Sequence, residues 1–352
     1  MSELFLKKGP YPNAQPLPSW LIGLVHTLTH FPPTLPCQAH MQALLNAIAT
    51  MALSTDAQRI FHGRGGLYAG CEQWALDAFP PVIFLTSFQP VSDEDLAVIG
   101  VALSTRWAQI SPDQPLNWVF QCRAEGHLET RLMSGSVPDP HVVTENDSRF
   151  RVHVLKGQNH GLFLDMAEGR EWVRQFVRNY GADQPRLKVL NLFAYTCAFS
   201  VVAMQAGAKQ VVNVDMSHGA MAIGQQNHAI NGITTGATFL MHDIFKTWGK
   251  ITRSGPYGLV IVDPPSYQKG SFIATKDYAK LMRRLPDLLA PGGYALLCLN
   301  APELGLDFLQ DQMQELAPEL NFVQRVANPA VFADVSPERS LKVLAYQMPH
   351  LP

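Results

Sequence analysis

From residue 187 onward the chain alternates short aliphatic runs with amphipathic segments that end in glycine, and no other feature restricts its fold as much. Residues 187–192, 210–215, 238–241, 258–263 and 294–299 read as strands. Between them, residues 199–206 form a helix closed by Gly207, and Ser217 caps a helix that runs to residue 231 and stops at Gly232. Residues 276–289 read as a helix kinked at Pro286, with Pro291-Gly292-Gly293 as the following turn. Strand–helix alternation at this spacing implies a mostly parallel sheet with helices on both faces, the α/β class. Ahead of it, residues 149–155 suggest a strand and residues 162–181 a helix with Gly181 as its C-terminal cap. Residues 321–326 and 341–347 suit a closing hairpin.

The first half has another texture. It opens with a Pro-rich stretch and a short helix expected at residues 21–30, followed by a helix at 38–52. Strands are expected at 81–88, 118–122 and 142–143, with a helix at 92–107. With 352 residues, the chain is long enough for two domains: an α+β domain over residues 1–150, expected to recognise substrate, and the α/β domain over 151–352.

Composition removes several classes. No apolar run reaches the roughly 18 residues of a membrane span, and the N-terminus lacks the order of a secretory signal. The five cysteines (Cys37, Cys71, Cys122, Cys197, Cys298) are scattered and form no CxxC pair or Cys/His cluster. That argues against a disulfide framework and a structural metal, and for a reducing cytoplasm. Residues 1–150 hold 8 basic and 13 acidic side chains, leaving 19 and 16 for the remainder. No basic block marks a nucleic-acid face, although a folded surface could gather scattered arginines.

In open α/β sheets, ligands sit beyond the carboxyl ends of the strands where strand order reverses. Three such ends carry chemistry here. The first continues as Asn191-Leu192-Phe193-Ala194-Tyr195-Thr196-Cys197, without the glycines that would bring backbone against a dinucleotide pyrophosphate. The second ends in Asp215, placed to accept hydrogen bonds from a ribose diol. The third ends in Asp263-Pro264-Pro265-Ser266-Tyr267, where prolines stiffen the loop and hold the carboxylate in one direction. Tyr267 offers a ring for stacking on a base.

These three segments, with Gly161-Leu162-Phe163-Leu164-Asp165 ahead of them, resemble the S-adenosylmethionine (AdoMet)-dependent ribosomal-RNA large-subunit methyltransferase family. His62-Gly63-Arg64-Gly65-Gly66 resembles a subgroup known simply as AdoMet-dependent methyltransferases. The likeness covers about residues 149–300. It implies a Rossmann-like class I methyltransferase sheet, AdoMet as cofactor and ribosomal RNA as substrate. It further implies that Asn191, Phe193 and Tyr195 line the methionine side of AdoMet. Asp215, with Met216, would hold the ribose, Asp243, with Ile244, would approach the adenine, and Asp165 would help close the pocket. Asp263, with Pro264 and Tyr267, would face the acceptor. Two positions depart from the family: Cys197 stands where glycine is usual, and Ala167 where arginine is common.

Family members methylate cytosine C5, guanine N7 or guanine N2. The C5 reaction needs a thiolate to attack the ring. Cys298 lies between two leucines inside a strand, and the position that carries the thiol in C5 relatives is Asn300 here. A base nitrogen, with guanine favoured, is therefore the expected acceptor. A small-molecule or protein acceptor, and a non-catalytic scaffold that binds AdoMet or RNA, are the competing expectations.

Overall fold

The computed structural model describes residues 40–350 apart from 185, 266 and 269–271, and only the backbone at 182, 183, 267 and 268. The helix expected at residues 21–30, Ser266 and the side chain of Tyr267 fall outside the described residues.

The first half builds a five-stranded sheet. Helix α1 (Gln42–Thr50) precedes β1 (Gln58–His62), β2 (Trp74–Phe79) and β3 (Val82–Ser87). Helix α2 (Asp93–Ile110) then crosses to β4 (Asn117–Ala124), which turns back into β5 (His127–Ser134). The order is β1-β2-β3-β4-β5, parallel only at β3–β4, where α2 supplies the crossover. Ser92 caps α2 by accepting the Asp95 N–H, and Asp93, Glu94 and Asp95 complement the dipole of its first turn. Leu96, Ile99 and Leu103 bury one helical stripe against Trp74, Leu85 and Trp118. Each such aliphatic burial contributes about 1.5–3 kcal/mol. The other face of the sheet, with Phe79, Phe84 and Val119, packs on the next elements.

Those include a hairpin, β6 (His141–Glu145) and β7 (Ser148–Val152), through Val143, Phe150 and Val152; α3 (Ala167–Asp183) follows in the chain and buries Val173 and Val177 in a separate core. Asn146 and Asp147 both take positive φ, 45° and 66°, as a two-residue hairpin turn requires. The boundary expected after residue 150 falls inside β7.

The second half is the alternation read from sequence: β8 (Lys188–Leu192), α4 (Ala198–Ala206), β9 (Gln210–Val214), α5 (His218–Ile230), β10 (Ala237–Leu240), α6 (Trp248–Ser254) and β11 (Tyr257–Val262). A two-residue ladder of β12 (Tyr267–Gln268) with β13 (Phe272–Ile273) leads into α7 (Ala274–Met282), α8 (Leu285–Leu288) and β14 (Leu289–Leu299). Helix α9 (Leu306–Leu316) and the hairpin of β15 (Asn321–Val326) and β16 (Lys342–Gln347) complete it. The sheet order is β10-β9-β8-β11-β14-β16-β15, parallel through β14 and antiparallel beyond. Every residue of β11 is buried, as a central strand covered on both faces demands. Strand order reverses between β8 and β11, which puts the switch point at their carboxyl ends.

Three local expectations need correction. Helix α3 runs through Gly181, and Gln184 makes the closing bond to the Tyr180 carbonyl. Residues 276–289 form two helices, with Pro286 in the first turn of the second, where its missing N–H costs nothing. Pro291-Gly292-Gly293 lies within β14 at a break in register against β11, with Gly292 at φ 74°. It bulges the strand without ending it.

Candidate active site

The loop after β8 holds Phe193, Tyr195 and Cys197 at φ 57°, 48° and 61°. Left-handed backbone costs a residue with a side chain roughly 1–2 kcal/mol, so three such residues in five persist only because surrounding bonds dictate them. Ala194 N–H donates to the Val214 carbonyl at 3.1 Å and Cys197 N–H to the Ala194 carbonyl at 2.7 Å. The Thr196 hydroxyl donates to the Gly161 carbonyl at 2.6 Å, and Asn227 donates to the Thr196 carbonyl at 2.9 Å. Asp215, just beyond β9, accepts the Tyr195 N–H at 2.8 Å through one oxygen and the Ser217 N–H at 2.7 Å through the other.

Over the ends of β8, β9, β10 and β11 lies a cavity of about 800 Å³. Phe193, Tyr195, Asp215 and Met216 line one part of it, Asp243 and Ile244 a second, and Asp165, Asp263 and Pro264 a third. Asn191 does not line it. That side chain is 1% exposed and donates to Asn213 at 2.9 Å inside the sheet, and Asn213 in turn donates to Ser200. The asparagine braces two neighbouring strands beneath the site.

Phe163, Arg170 and Asn300 also line the cavity, although sequence reasoning gave them no role in it. Arg170 is 3% exposed and makes a bidentate pair with Glu145, both contacts at 2.6 Å, while donating to the Phe163 carbonyl at 2.8 Å. Arg174, one turn later on the same face of α3, donates to the Asn146 carbonyl and the Ser148 hydroxyl. Two arginines thus clamp the β6–β7 turn to α3 and fix a positive charge at the cavity floor. The spacing of Arg170 and Arg174 was the available signal, but their partner Glu145 lies 25 residues upstream of Arg170.

That charge matters for the carboxyls. Burial, then the charge of Asp165, push Asp263 up to about 7, with Arg170 opposing. Burial also raises Asp165, against the pull of Arg59 and Arg170. A carboxyl poised near neutrality in a cavity is suited to exchanging a proton or a hydrogen bond with a bound group. Neither nearby thiol has that character: burial pushes both Cys197 and Cys298 up, and the charge of Asp215 or Asp263 pushes each further. Cys197 is fully buried and fills the space beside Gly224, with its sulfur 3.8 Å from that of Met221.

The lining fits AdoMet. Asp215 keeps lone pairs for hydroxyl donors after its two backbone bonds. Phe193 and Ile244 offer apolar surface, and carboxyls face the part of the cavity where a cation would be stabilised. No cluster of metal-binding side chains occurs among the described residues.

Comparison with known proteins agrees with this geometry. The chain is 33% identical over 181 residues to ribosomal RNA large subunit methyltransferase I of Aeromonas salmonicida (strain A449), a match covering 49% of this chain and 44% of that relative. In fold it resembles a putative SAM-dependent methyltransferase from Streptococcus mutans, with a TM-score of 0.72 and 21% identity over 90% of this chain and 83% of the other. A putative methyltransferase complexed with SAH aligns with a TM-score of 0.70, 21% identity and the same coverage. The sheet is that of a class I methyltransferase, preceded by a smaller sheet domain. Residues 58–347 match the S-adenosylmethionine-dependent methyltransferase family, and the chain belongs to that family, with AdoMet as its cofactor.

Proposed function

We propose that this protein methylates a base nitrogen of ribosomal RNA, guanine in preference, in the cytoplasm. The observation that carries the reading is Asp263: a half-buried carboxyl near neutrality, on the Pro264-Pro265 loop, in a cavity whose neighbouring thiols are held protonated. The large-subunit relative supplies the substrate class. The five-stranded sheet domain is assigned to substrate recognition.

AdoMet, when bound, supplies a methyl group on a positively charged sulfur. Asp215 accepts the ribose hydroxyls, and Phe193, Tyr195 and Met216 enclose the methionine end and the sugar. Asp243 and Ile244 border the adenine; the Asp243 carboxylate is held in place by the Phe245 N–H at 2.9 Å. Asp165 and Asp263 face the sulfur, and a cation there favours their ionised forms. Ionised Asp263 would accept a hydrogen bond from the N–H of the acceptor base, orient that nitrogen, and take the proton it releases when the methyl group passes to nitrogen and its bond to sulfur breaks. Phe163, 42% exposed and 5.4 Å from the Tyr195 ring, gives a face on which the base can stack.

Parallel incubations with methyl-labelled AdoMet and total RNA, protein or small metabolites from cells lacking the enzyme test this reading. Label in large-subunit RNA is expected. Label only in protein or metabolites would replace the substrate class, and none in any fraction would favour a scaffold.

A further inference from the structure

Six arginines occur among the first 150 residues, in an acidic stretch, and three of them converge. Arg59 on β1, Arg64 in the turn after it and Arg123 at the end of β4 are close enough to disfavour one another's charge. Arg59 is paired with Asp77 of β2 through two contacts. Neither Arg64 nor Arg123 has a carboxylate partner among the described residues. Arg123 instead bonds to Gln121 and to His160 at 2.9 Å. Both lie over one ring, closely for Arg64, whose guanidinium is 4.1 Å from the centre of Phe88, and more loosely for Arg123 at 6.0 Å. On the other flank Arg59 lies 4.7 Å over Phe332, whose ring is 5.1 Å from His62.

The placement is enforced by the backbone. A Cβ at Gly63 would meet the Cys71 carbonyl at 1.9 Å, and one at Gly65 the Ala333 carbonyl at 2.1 Å. The turn therefore seats flush on two other loops, fixed by a bond from Val335 N–H to the Gly65 carbonyl at 2.8 Å, and presents exposed Arg64 outward. The cluster borders the active site, because β1 packs on the Leu164–Met166 turn and the Arg59 charge acts on Asp165.

Three guanidiniums share the carboxylate of Asp77, which is bonded to Arg59 and acts also on Arg123, and the set is left short of negative charge that an anion completes. Planar guanidiniums match phosphate oxygens, and Phe88 gathers those of Arg64 and Arg123 around one ring. We propose that Arg64 and Arg123, braced by Arg59, form a phosphate-binding site for the acceptor, occupied by a backbone phosphodiester of the nucleic acid whose base enters the cavity. The phosphodiester rests on the RNA reading above; the phosphate site does not. The histidines agree with it. Burial first, and then Arg59 and Arg64, hold His62 down to about 4, while burial and Arg123 do the same for His160. Both rings therefore report on any anion that neutralises these arginines.

The test combines two probes on the full chain, with AdoMet calorimetry as the check that each variant folds. Binding of a fluorescein-labelled single-stranded RNA oligonucleotide is measured against salt for the wild type, Arg64→Ala, Arg123→Ala, the double variant and Arg64→Lys. The imidazole NMR signals of His62 and His160 are followed on adding inorganic phosphate. Each alanine variant is expected to weaken RNA about tenfold at low salt, and to lower the log–log salt slope by about 0.7, the value for one phosphate on a single strand. Arg64→Lys should recover part of that loss, and AdoMet affinity should stay unchanged. Phosphate should move both imidazole titrations upward in the wild type and not in the double variant. A double variant that binds RNA and responds to phosphate as the wild type does overturns the site. A wild type that ignores RNA but shows the phosphate response keeps the site and sinks the RNA reading. Silence toward both probes overturns the two together.

Discussion

Asp215 accepts the backbone N–H of Tyr195 at 2.8 Å, so the end of β9 dictates the shape of the loop that follows β8. The same carboxylate is assigned to the ribose, and cofactor binding and loop geometry therefore depend on one side chain. Asp215→Ala should lose about 1.5–3 kcal/mol of AdoMet binding, the range for hydrogen bonds to a charged group. That corresponds to roughly tenfold to a hundredfold in Kd. Asp215→Asn, which retains one acceptor oxygen, should lose less. Calorimetry showing unchanged affinity in a folded Asp215→Ala protein would falsify the ribose assignment.

Asp263 should separate binding from chemistry. Asp263→Asn is expected to keep AdoMet affinity within a few fold while single-turnover methyl transfer falls by about a hundredfold or more. In the wild type the transfer rate should rise with pH as the carboxyl ionises, and Asp263→Asn should lose that limb.

Stability carries the opposite sign for the same residue. The carboxyl is raised from an ordinary 3.8 to about 7 in the free protein. Between those values the unfolded chain gives up its proton first, so this group's contribution to stability falls as pH rises from about 4 to about 7 and is level outside that window. Asp263→Asn should therefore gain in Tm relative to the wild type between pH 4 and pH 7, and hold that gain at pH 8. A difference independent of pH would show that Asp263 is not raised.

Arg170 and Glu145 form a buried pair whose members should not be removed singly. Arg170→Met strands the Glu145 charge and should cost about 3–5 kcal/mol, whereas adding Glu145→Gln should restore much of it. The double variant also removes the cation that opposes the rise of Asp263. Its pH–rate limb should move to higher pH even where its Tm approaches that of the wild type. A merely structural role for the pair would leave the limb in place.

The cysteines distinguish nitrogen from carbon chemistry. Cys197→Ser and Cys298→Ser should each retain transfer within about tenfold, or about 1.4 kcal/mol of transition-state stabilisation. Cys197→Gly removes left-handed strain of about 1–2 kcal/mol and loses buried sulfur contacts of similar size, so its stability should change little. Loss of all transfer in either serine variant, with a trapped complex on 5-fluorocytosine RNA, would indicate a C5 enzyme.

The sequence was most legible where local chemistry and long-range packing agree. Ser217 caps α5, accepting the Ala220 N–H at 3.2 Å, and Gly207 closes α4 at φ 113°, both positions read from residue type alone. Asp215 and Asp263 could be placed at strand ends because the β/α period is regular, whereas Asp243 was named only through the family resemblance. Asn191 resisted the same reasoning: it sits at the right strand, but its direction is set by Asn213 on the neighbouring strand. Strands β1, β2 and β5 were missed; in β5 exposed and half-buried positions follow no strict alternation, so period two does not mark it. Arg64 stood out between its glycines as part of an exposed loop able to touch substrate, but its convergence with Arg123 on Phe88 did not, because the fold brings together residues about 60 positions apart and no local pattern reports that.

Identifying the methylated nucleoside is the most direct test of the central claim. Large-subunit RNA from cells lacking the enzyme is incubated with the protein and methyl-labelled AdoMet, then digested and resolved by mass spectrometry. Label is expected on a guanosine nitrogen, and none with Asp263→Asn. Label on 5-methylcytidine, or on guanosine at full rate with Asp263→Asn, would contradict that claim.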